Sequence, residues 1–162
     1  MTVVVDIGCY SHPDHEGASQ DSVHRLIDRY RPDELYGFDP HPDMPDGWFR
    51  ENGTSYRLTR KAAWTYDGTI GYAEGGLGSR IGSADVKVGC FDLARWIVEQ
   101  YRPLVVKLDV EGSEYALLEH LHAAGADRVL EVLLVEWHEA PDWEARRDRL
   151  LEAIPCPVLE WD

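Results

Sequence analysis

The 162-residue sequence has few basic residues, few cysteines and no long apolar run. Its formal net charge of -14 at pH 7 argues against nucleic-acid binding, which depends on clusters of Lys and Arg. The three cysteines, Cys9, Cys90 and Cys156, are far apart and lack metal-type spacing, which is typical of reduced thiols in an intracellular protein. No window approaches the roughly 20 apolar residues of a membrane-spanning helix, and no leader-type segment follows Met1. We therefore expect a soluble, cytoplasmic protein with neither nucleic acid nor membrane as a partner.

Short apolar runs alternate with helix-like segments along the chain, which predicts an α/β fold. Strands are predicted at residues 3–7, 35–38, 56–64, 104–108 and 129–135, with shorter ones at 69–73 and 158–161. Helices are predicted over 23–30, 93–101, 113–121 and 142–154, and residues 40–53 are expected to be mainly loop, with one helical turn near Trp48 and Phe49. Right-handed crossovers then give a doubly wound, mostly parallel, Rossmann-like sheet in a single domain over residues 1–162.

Acidic residues lie at the ends of three of the predicted strands. Asp6 is the second-last residue of the first strand, Asp39 follows the second, and Asp109 and Glu111 follow the run at 104–108. Ligands of open α/β sheets bind at the carboxyl ends of the strands, where the strand order reverses. A reversal after the first strand predicts a crevice beside Asp6 and Asp109.

The loop after the first strand indicates the class of cofactor. Gly8 is followed by no second glycine until Gly17, so the loop is a poor cradle for the pyrophosphate of a dinucleotide. Asp6 suits a ligand with an ammonium group, held directly or through water, and Asp39 suits the two hydroxyls of a ribose. A ligand with a ribose, a positive centre and no phosphate is S-adenosylmethionine.

The motifs at these strand ends resemble the FkbM-type family of class I S-adenosylmethionine-dependent methyltransferases. The family pattern D-[IV]-G-A-N-x-G corresponds to D-I-G-C-Y-S-H at residues 6–12, and F-[ED]-P to F-D-P at 38–40. The pattern K-[ILV]-D-V-E-G-x-E corresponds to K-L-D-V-E-G-S-E at 107–114, and E-x-H to E-W-H at 136–138. Tyr10 and His12 stand where the family usually has Asn and Gly.

The resemblance implies O-methylation of a hydroxyl on a sugar or another small metabolite. It implies these contacts to S-adenosylmethionine: Asp6, Gly8, Cys9, Tyr10, Asp39, Pro40, Ala63 and Trp64. The candidate catalytic residues are Asp109, Glu111 and His138; we favour His138 or Glu111 as the base and Asp109 as a positioning residue. The chain resembles a minimal core, so a substrate lid is expected from the glycine-rich loop at 75–82 or from the second subunit of a homodimer.

Two alternatives remain open. One is a metal-dependent enzyme on a similar sheet, because mixed His and carboxylate groups hold divalent metals. These groups are His12, Asp14 and His15 with His41 and Asp43, and Asp109 and Glu111 with His138. Such residues are more often plain loop residues, so no metal ligand is predicted, although some methyltransferases of related fold use a divalent ion on the acceptor hydroxyls. The other alternative is an S-adenosylmethionine-binding module without catalysis.

Two residues of the 107–114 block have a structural interpretation. Lys107 lies inside a predicted strand and is expected to pair with a carboxylate. Glu114 is expected to favour the helix start after Ser113, where acidic groups interact well with the helix dipole.

Overall fold

The valine run that begins at Val3 forms the first strand of a seven-stranded sheet. The computed structural model describes residues 1–10, 22–73 and 86–161 and the backbone of residues 80 and 81. The described strands are β1 (Val3–Ile7), β2 (Glu34–Phe38), β3 (Gly47–Glu51), β4 (Thr54–Thr59), β5 (Ala62–Trp64), β6 (Gly68–Ala73), β7 (Arg80–Ile81), β8 (Val86–Asp92), β9 (Leu104–Leu108), β10 (Leu130–Val135) and β11 (Val158–Glu160). The described helices are α1 (Ser22–Tyr30), α2 (Leu93–Glu99), α3 (Glu114–Ala123), α4 (Trp143–Ala153) and a 3-10 turn at Ala126–Val129.

The larger sheet has the strand order β11-β10-β9-β1-β2-β4-β3, and among these strands only β3 runs antiparallel to its neighbour. Counted along the chain, the parallel strands follow the order 3-2-1-4-5-6, which is that of doubly wound nucleotide-binding sheets. The order reverses between β1 and β9, beside Asp6 and Asp109. The prediction of an α/β fold with a mostly parallel sheet is therefore confirmed.

Alternate residues of the central strands face helices on opposite sides of the sheet. Val3, Val5 and Ile7 belong to the core cluster that includes residues of α2, α3 and α4. Val4 belongs to a second cluster with Leu26 and its neighbours on α1. Because side chains of a strand alternate between faces, Asp6 follows Val4 onto the α1 side. This places a charged residue at the end of an otherwise apolar strand face.

The segment predicted as one strand over 56–64 forms two strands in different sheets. β4 lies in the large sheet, whereas β5 pairs in parallel with β8 in a four-stranded sheet of order β5-β8-β6-β7. Exposed Arg60 and Lys61 lie at the break, so this pair of charges marks the end of β4. The predicted strand at 69–73 corresponds to β6, and the strand β8 has no counterpart in the sequence prediction.

The prediction of loop and a helical turn around Trp48 is wrong, because these residues form β3. β3 pairs with β4 in antiparallel register from Gly47↔Leu58 to Glu51↔Thr54. Only Asn52 and Gly53 lie between the two strands, and both have positive φ, 48° and 90°. Asn-Gly is a strong signal for a two-residue hairpin turn, so the sequence did contain evidence for this hairpin.

The helices agree with the predicted stripes, with one correction at a helix end. The second helix was predicted to extend to residue 101, but α2 ends at Glu99 and Tyr101 is 90% exposed. Asp92 caps α2, since its side chain accepts a hydrogen bond from the amide of Arg95. Ser113 stands at the N-cap of α3 without a side-chain capping bond.

Candidate active site at the carboxyl edge of the sheet

The backbone segments that follow β1 and β9 approach each other closely at the point where the strand order reverses. The amide of Gly8 donates to the carbonyl of Phe38 over 2.9 Å, and the amide of Asp109 donates to the carbonyl of Ile7 over 3.0 Å. Gly8 has a φ of 78°, and a Cβ atom built on it would lie 1.6 Å from the carbonyl oxygen of Asp109. The close approach of these two backbone segments therefore requires glycine at position 8, independently of any ligand.

Asp6 and Lys107 form a buried ion pair near the carboxyl ends of β1 and β9. They are register partners on β1 and β9, both side chains are 0% exposed, and Lys107 Nζ lies 3.1 Å from Asp6 Oδ1. The same Nζ donates to the carbonyl of Gly8 over 2.7 Å and lies 3.2 Å from Asp109 Oδ2, while Ser22 Oγ donates to Asp6 Oδ2 over 2.5 Å. Although burial lowers it, the pKa of Lys107 is raised overall by the two carboxylates, so the residue stays cationic.

The burial of Asp6 argues against its direct contact with a ligand. A direct contact between Asp6 and the ammonium group of a ligand requires an accessible carboxylate, and this one is enclosed by Lys107 and Ser22. The ammonium that Asp6 holds is that of Lys107. The expected ion pair of Lys107 with a carboxylate is confirmed.

Asp39 is fixed at the carboxyl end of β2. Its Oδ1 accepts a hydrogen bond from the amide of His41 over 2.9 Å, and its Oδ2 accepts one from the amide of Tyr10 over 3.2 Å. The Tyr10 and His41 rings stack at 3.9 Å, which ties the loop after β1 to the loop after β2. Partial burial raises the pKa of Asp39. Each carboxylate oxygen can accept a further hydrogen bond, so the group is able to receive a pair of hydroxyls.

The other residues predicted to contact the cofactor differ in how far their side chains are exposed to solvent. The Cys9 side chain is buried beside Gly37, where an added Cβ would meet Cys9 Sγ at 2.9 Å, and burial raises the pKa of its thiol. Pro40 is half-buried next to Asp39. Ala63 is buried in the core and Trp64 is half-buried against it, both on β5 of the smaller sheet instead of at the end of the third strand of the large sheet.

The three predicted catalytic residues lie together. Asp109, Glu111 and His138 are half-buried, and one potential ligand atom of each lies within 4.8 Å of those of the other two. Asp109 and Glu111 follow β9, while His138 follows β10, the adjacent strand. The parallel pairing of β9 with β10 thus brings His138 close to two residues that lie 27 and 29 positions earlier in the chain.

Glu114 is a member of this site that the sequence interpretation assigned only to the helix start. It is 0% exposed, and its two oxygens accept hydrogen bonds from the amides of Val110 (2.8 Å) and Gly112 (2.9 Å) in the preceding turn. The turn contains two residues with positive φ, Glu111 at 53° and Gly112 at 94°. Glu114 Oε1 also accepts from Nδ1 of His138 over 2.9 Å.

His138 is held between carboxylates. Its Nε2 atom lies 3.5 Å from Glu111 Oε2 and 3.8 Å from Glu136 Oε1. Its backbone carbonyl accepts a hydrogen bond from the hydroxyl of Tyr115 over 2.9 Å. The hydrogen bond to Glu114, followed by the nearby carboxylates, raises the pKa of His138 to about 9 despite partial burial. His138 is therefore a cation at neutral pH.

Glu136 is a second member of this site that was not among the candidate residues predicted from the sequence. Burial raises its pKa, and the neighbouring Asp109 carboxylate raises it further. Its position at the end of β10, in the motif E-W-H, was the available signal. Within the described residues, the site therefore contains four carboxylates around one imidazole: Asp109, Glu111, Glu114 and Glu136.

Several expectations fall elsewhere in the chain. The residues His12, Asp14, His15 and Gly17 lie outside the described part, as does most of the proposed lid at 75–82. His41 lies beside Asp43, whose amide donates to His41 Nδ1 over 3.2 Å. A cavity of about 430 Å³ between α1 and the β3–β4 turn lies near the amino ends of β2 and β4, away from this site.

Comparisons with protein-family models, curated proteins and solved structures found no match to this chain. Among the described helices, none is long and apolar enough to cross a membrane.

Proposed function

We propose that this chain is an S-adenosylmethionine-dependent methyltransferase acting on a hydroxyl of a sugar or another small metabolite. The observation that carries the proposal is Asp39, a carboxylate fixed by two backbone amides at the end of β2, beside the point where the strand order reverses. An acidic residue in this position accepts ribose hydroxyls in nucleotide-binding sheets of the same order.

The motifs support the same assignment. The segments at 6–12, 38–40, 107–114 and 136–138 resemble the FkbM-type pattern, and their described parts meet at one edge of the sheet. The described residues fit the ribose part of the cofactor through Asp39. The other contacts expected from the loop after β1 are those of Gly8, Cys9 and Tyr10, and residues 11–21 of this loop are outside the described residues.

S-adenosylmethionine, when bound, supplies a methyl group on a sulfonium centre. The task left to the chain is to hold the acceptor hydroxyl and to receive its proton. Because His138 is protonated below about pH 9, we assign the role of base to Glu111, with Asp109 orienting the acceptor. Protonated His138 then compensates the negative charge of the neighbouring carboxylates.

Titration calorimetry with S-adenosylmethionine and S-adenosylhomocysteine tests the proposal. We expect binding of both, and turnover with at least one member of a panel of hydroxyl compounds. Failure of both nucleosides to bind contradicts the proposal. Binding without turnover across the panel instead favours a binding module that lacks catalysis.

The cluster of Asp109, Glu111 and His138 favours a second candidate, a metal-dependent hydrolase. Carboxylates and imidazole in this spacing suit Zn²⁺, Mn²⁺ or Fe²⁺, and such ions activate water for hydrolysis. Elemental analysis of the purified protein, before and after chelation, tests it. A stoichiometric metal together with hydrolysis that chelation abolishes supports this candidate, and a metal-free protein that binds S-adenosylhomocysteine contradicts it.

A further inference from the structure

Glu114 joins two loops that are distant in the sequence. Its buried carboxylate accepts two amides from the turn after β9 and one ring N–H from His138 after β10, 24 residues further along the chain. An acidic residue that only favours a helix start interacts with amides of its own first turn. Glu114 instead directs its oxygens to the preceding turn and to the adjacent strand end.

The contact with Glu114 fixes the orientation of the His138 ring. Nδ1 faces Glu114, the Tyr115 hydroxyl holds the His138 backbone carbonyl, and Nε2 is left 3.5 Å from the Glu111 carboxylate. Glu111 is itself held in a left-handed conformation by the turn that Glu114 clamps. The same carboxylate therefore sets the position of both members of the His138–Glu111 pair.

We infer that Glu114 is a positioning residue that acts through His138 to hold Glu111 in its reactive position. The kinetic consequence rests on the proposed function, since it treats Glu111 as the base. The structural consequence does not: the ring orientation of His138 depends on the Glu114 carboxylate whatever reaction the site performs.

The structural consequence is tested by NMR of the full chain with ¹⁵N-labelled histidine. We expect a downfield Nδ1–H resonance, assigned to His138 by its loss in His138→Gln. It should disappear or move upfield in Glu114→Gln and remain in Glu119→Gln, a control on the same helix whose carboxylate pairs with Arg146 at the surface. Absence of the resonance from the wild-type chain, or its persistence in Glu114→Gln, overturns the inference.

The kinetic consequence is tested on the same variants with an acceptor that the wild type methylates. We expect Glu114→Gln to lower kcat at least about tenfold while KM for the acceptor changes less than about threefold, since only the reacting groups are displaced. His138→Gln leaves the amide contacts of Glu114 intact and should show the same split, which decides the question if Glu114→Gln fails to fold. An unchanged kcat in His138→Gln contradicts the inference.

The two arms separate its failure from that of the proposed function. If S-adenosylhomocysteine does not bind to the wild type but the resonance behaves as expected, the proposed reaction is wrong and the positioning by Glu114 stands. If the nucleoside binds and the resonance persists in Glu114→Gln, the positioning by Glu114 is wrong and the proposed function stands.

Discussion

Lys107 and His138 are both cations among carboxylates at the carboxyl edge of one sheet, yet they differ in access to solvent. The Lys107 side chain is 0% exposed, whereas the His138 side chain is 23% exposed. The Lys107 ammonium group is enclosed by Asp6, the Gly8 carbonyl and Asp109, so all of these contacts are within the protein. Of the carboxylates around His138, Glu114 is buried, whereas Glu111 and Glu136 are partly exposed and accessible from solvent.

The difference arises from where the residues lie in the strands. Asp6 and Lys107 occupy paired positions inside β1 and β9, on the face covered by α1. Glu111 and His138 lie in the turns after β9 and β10, beyond the last paired residues. Similar charges thus stabilise the fold in one place and form a candidate reactive site in the other.

The largest effect on stability is expected when the buried Asp6–Lys107 pair is broken. Lys107→Met leaves Asp6 buried without its partner and should lower the free energy of unfolding by about 3–5 kcal/mol. Urea denaturation measures the change. The double variant Asp6→Leu/Lys107→Met should recover most of the loss, because it removes both buried charges. Ordinary surface substitutions change the free energy of unfolding by about 0.5 kcal/mol or less. A change of that size in Lys107→Met would show that the Asp6–Lys107 pair does not stabilise the fold.

At the cluster of Asp109, Glu111 and His138 the expected effect is on catalysis. Glu111→Gln should lower kcat by about a hundredfold or more, the lower range for loss of a general base, with little change in unfolding free energy. Glu131→Gln, an exposed substitution of the same kind on β10, serves as the control and should keep the wild-type kcat. Equal activity of the two variants would exclude Glu111 as the base.

A smaller effect is expected in the pH dependence of stability. The pKa of His138 is raised from 6.5 to about 9 by Glu114 and the nearby Glu111 and Asp109 carboxylates. Its contribution is therefore fully present below pH 6.5 and is lost as the pH rises through about 9. The difference in unfolding free energy between the wild type and His138→Gln should shrink by about 1–3 kcal/mol between pH 6 and pH 9.5, at about 1.4 kcal/mol per pKa unit and with allowance for solvent screening. A difference that is constant over this range contradicts the assignment of the charge.

The sequence was sufficient for the elements whose pattern is local. The uninterrupted run at Val3–Ile7 predicted a buried strand, and the apolar stripe through Val23 and Leu26 predicted α1. The break between β4 and β5 was not predicted, because strand pairing is decided by distant partners. The Asn52-Gly53 turn was the one missed element with a clear local signal.

The site could be predicted as a meeting of strand ends, but not in its contacts. Parallel strands bring Asp109 and His138 to one edge, which follows from the fold alone. The burial of Asp6 depends on its register partner Lys107, and the role of Glu114 depends on a residue 24 positions away. Neither relation is visible in the spacing of the motifs.

The central claim is that the open edge binds S-adenosylmethionine with Asp39 on its ribose, and calorimetry of S-adenosylhomocysteine binding tests it most directly. Asp39→Ala should weaken binding by at least about tenfold, the loss of one hydrogen bond to a charged group at about 1.5 kcal/mol or more. Asp43→Ala, an exposed acidic residue in the same loop, should bind as the wild type does. Equal affinity of Asp39→Ala and the wild type, or no binding by the wild type, would contradict the account.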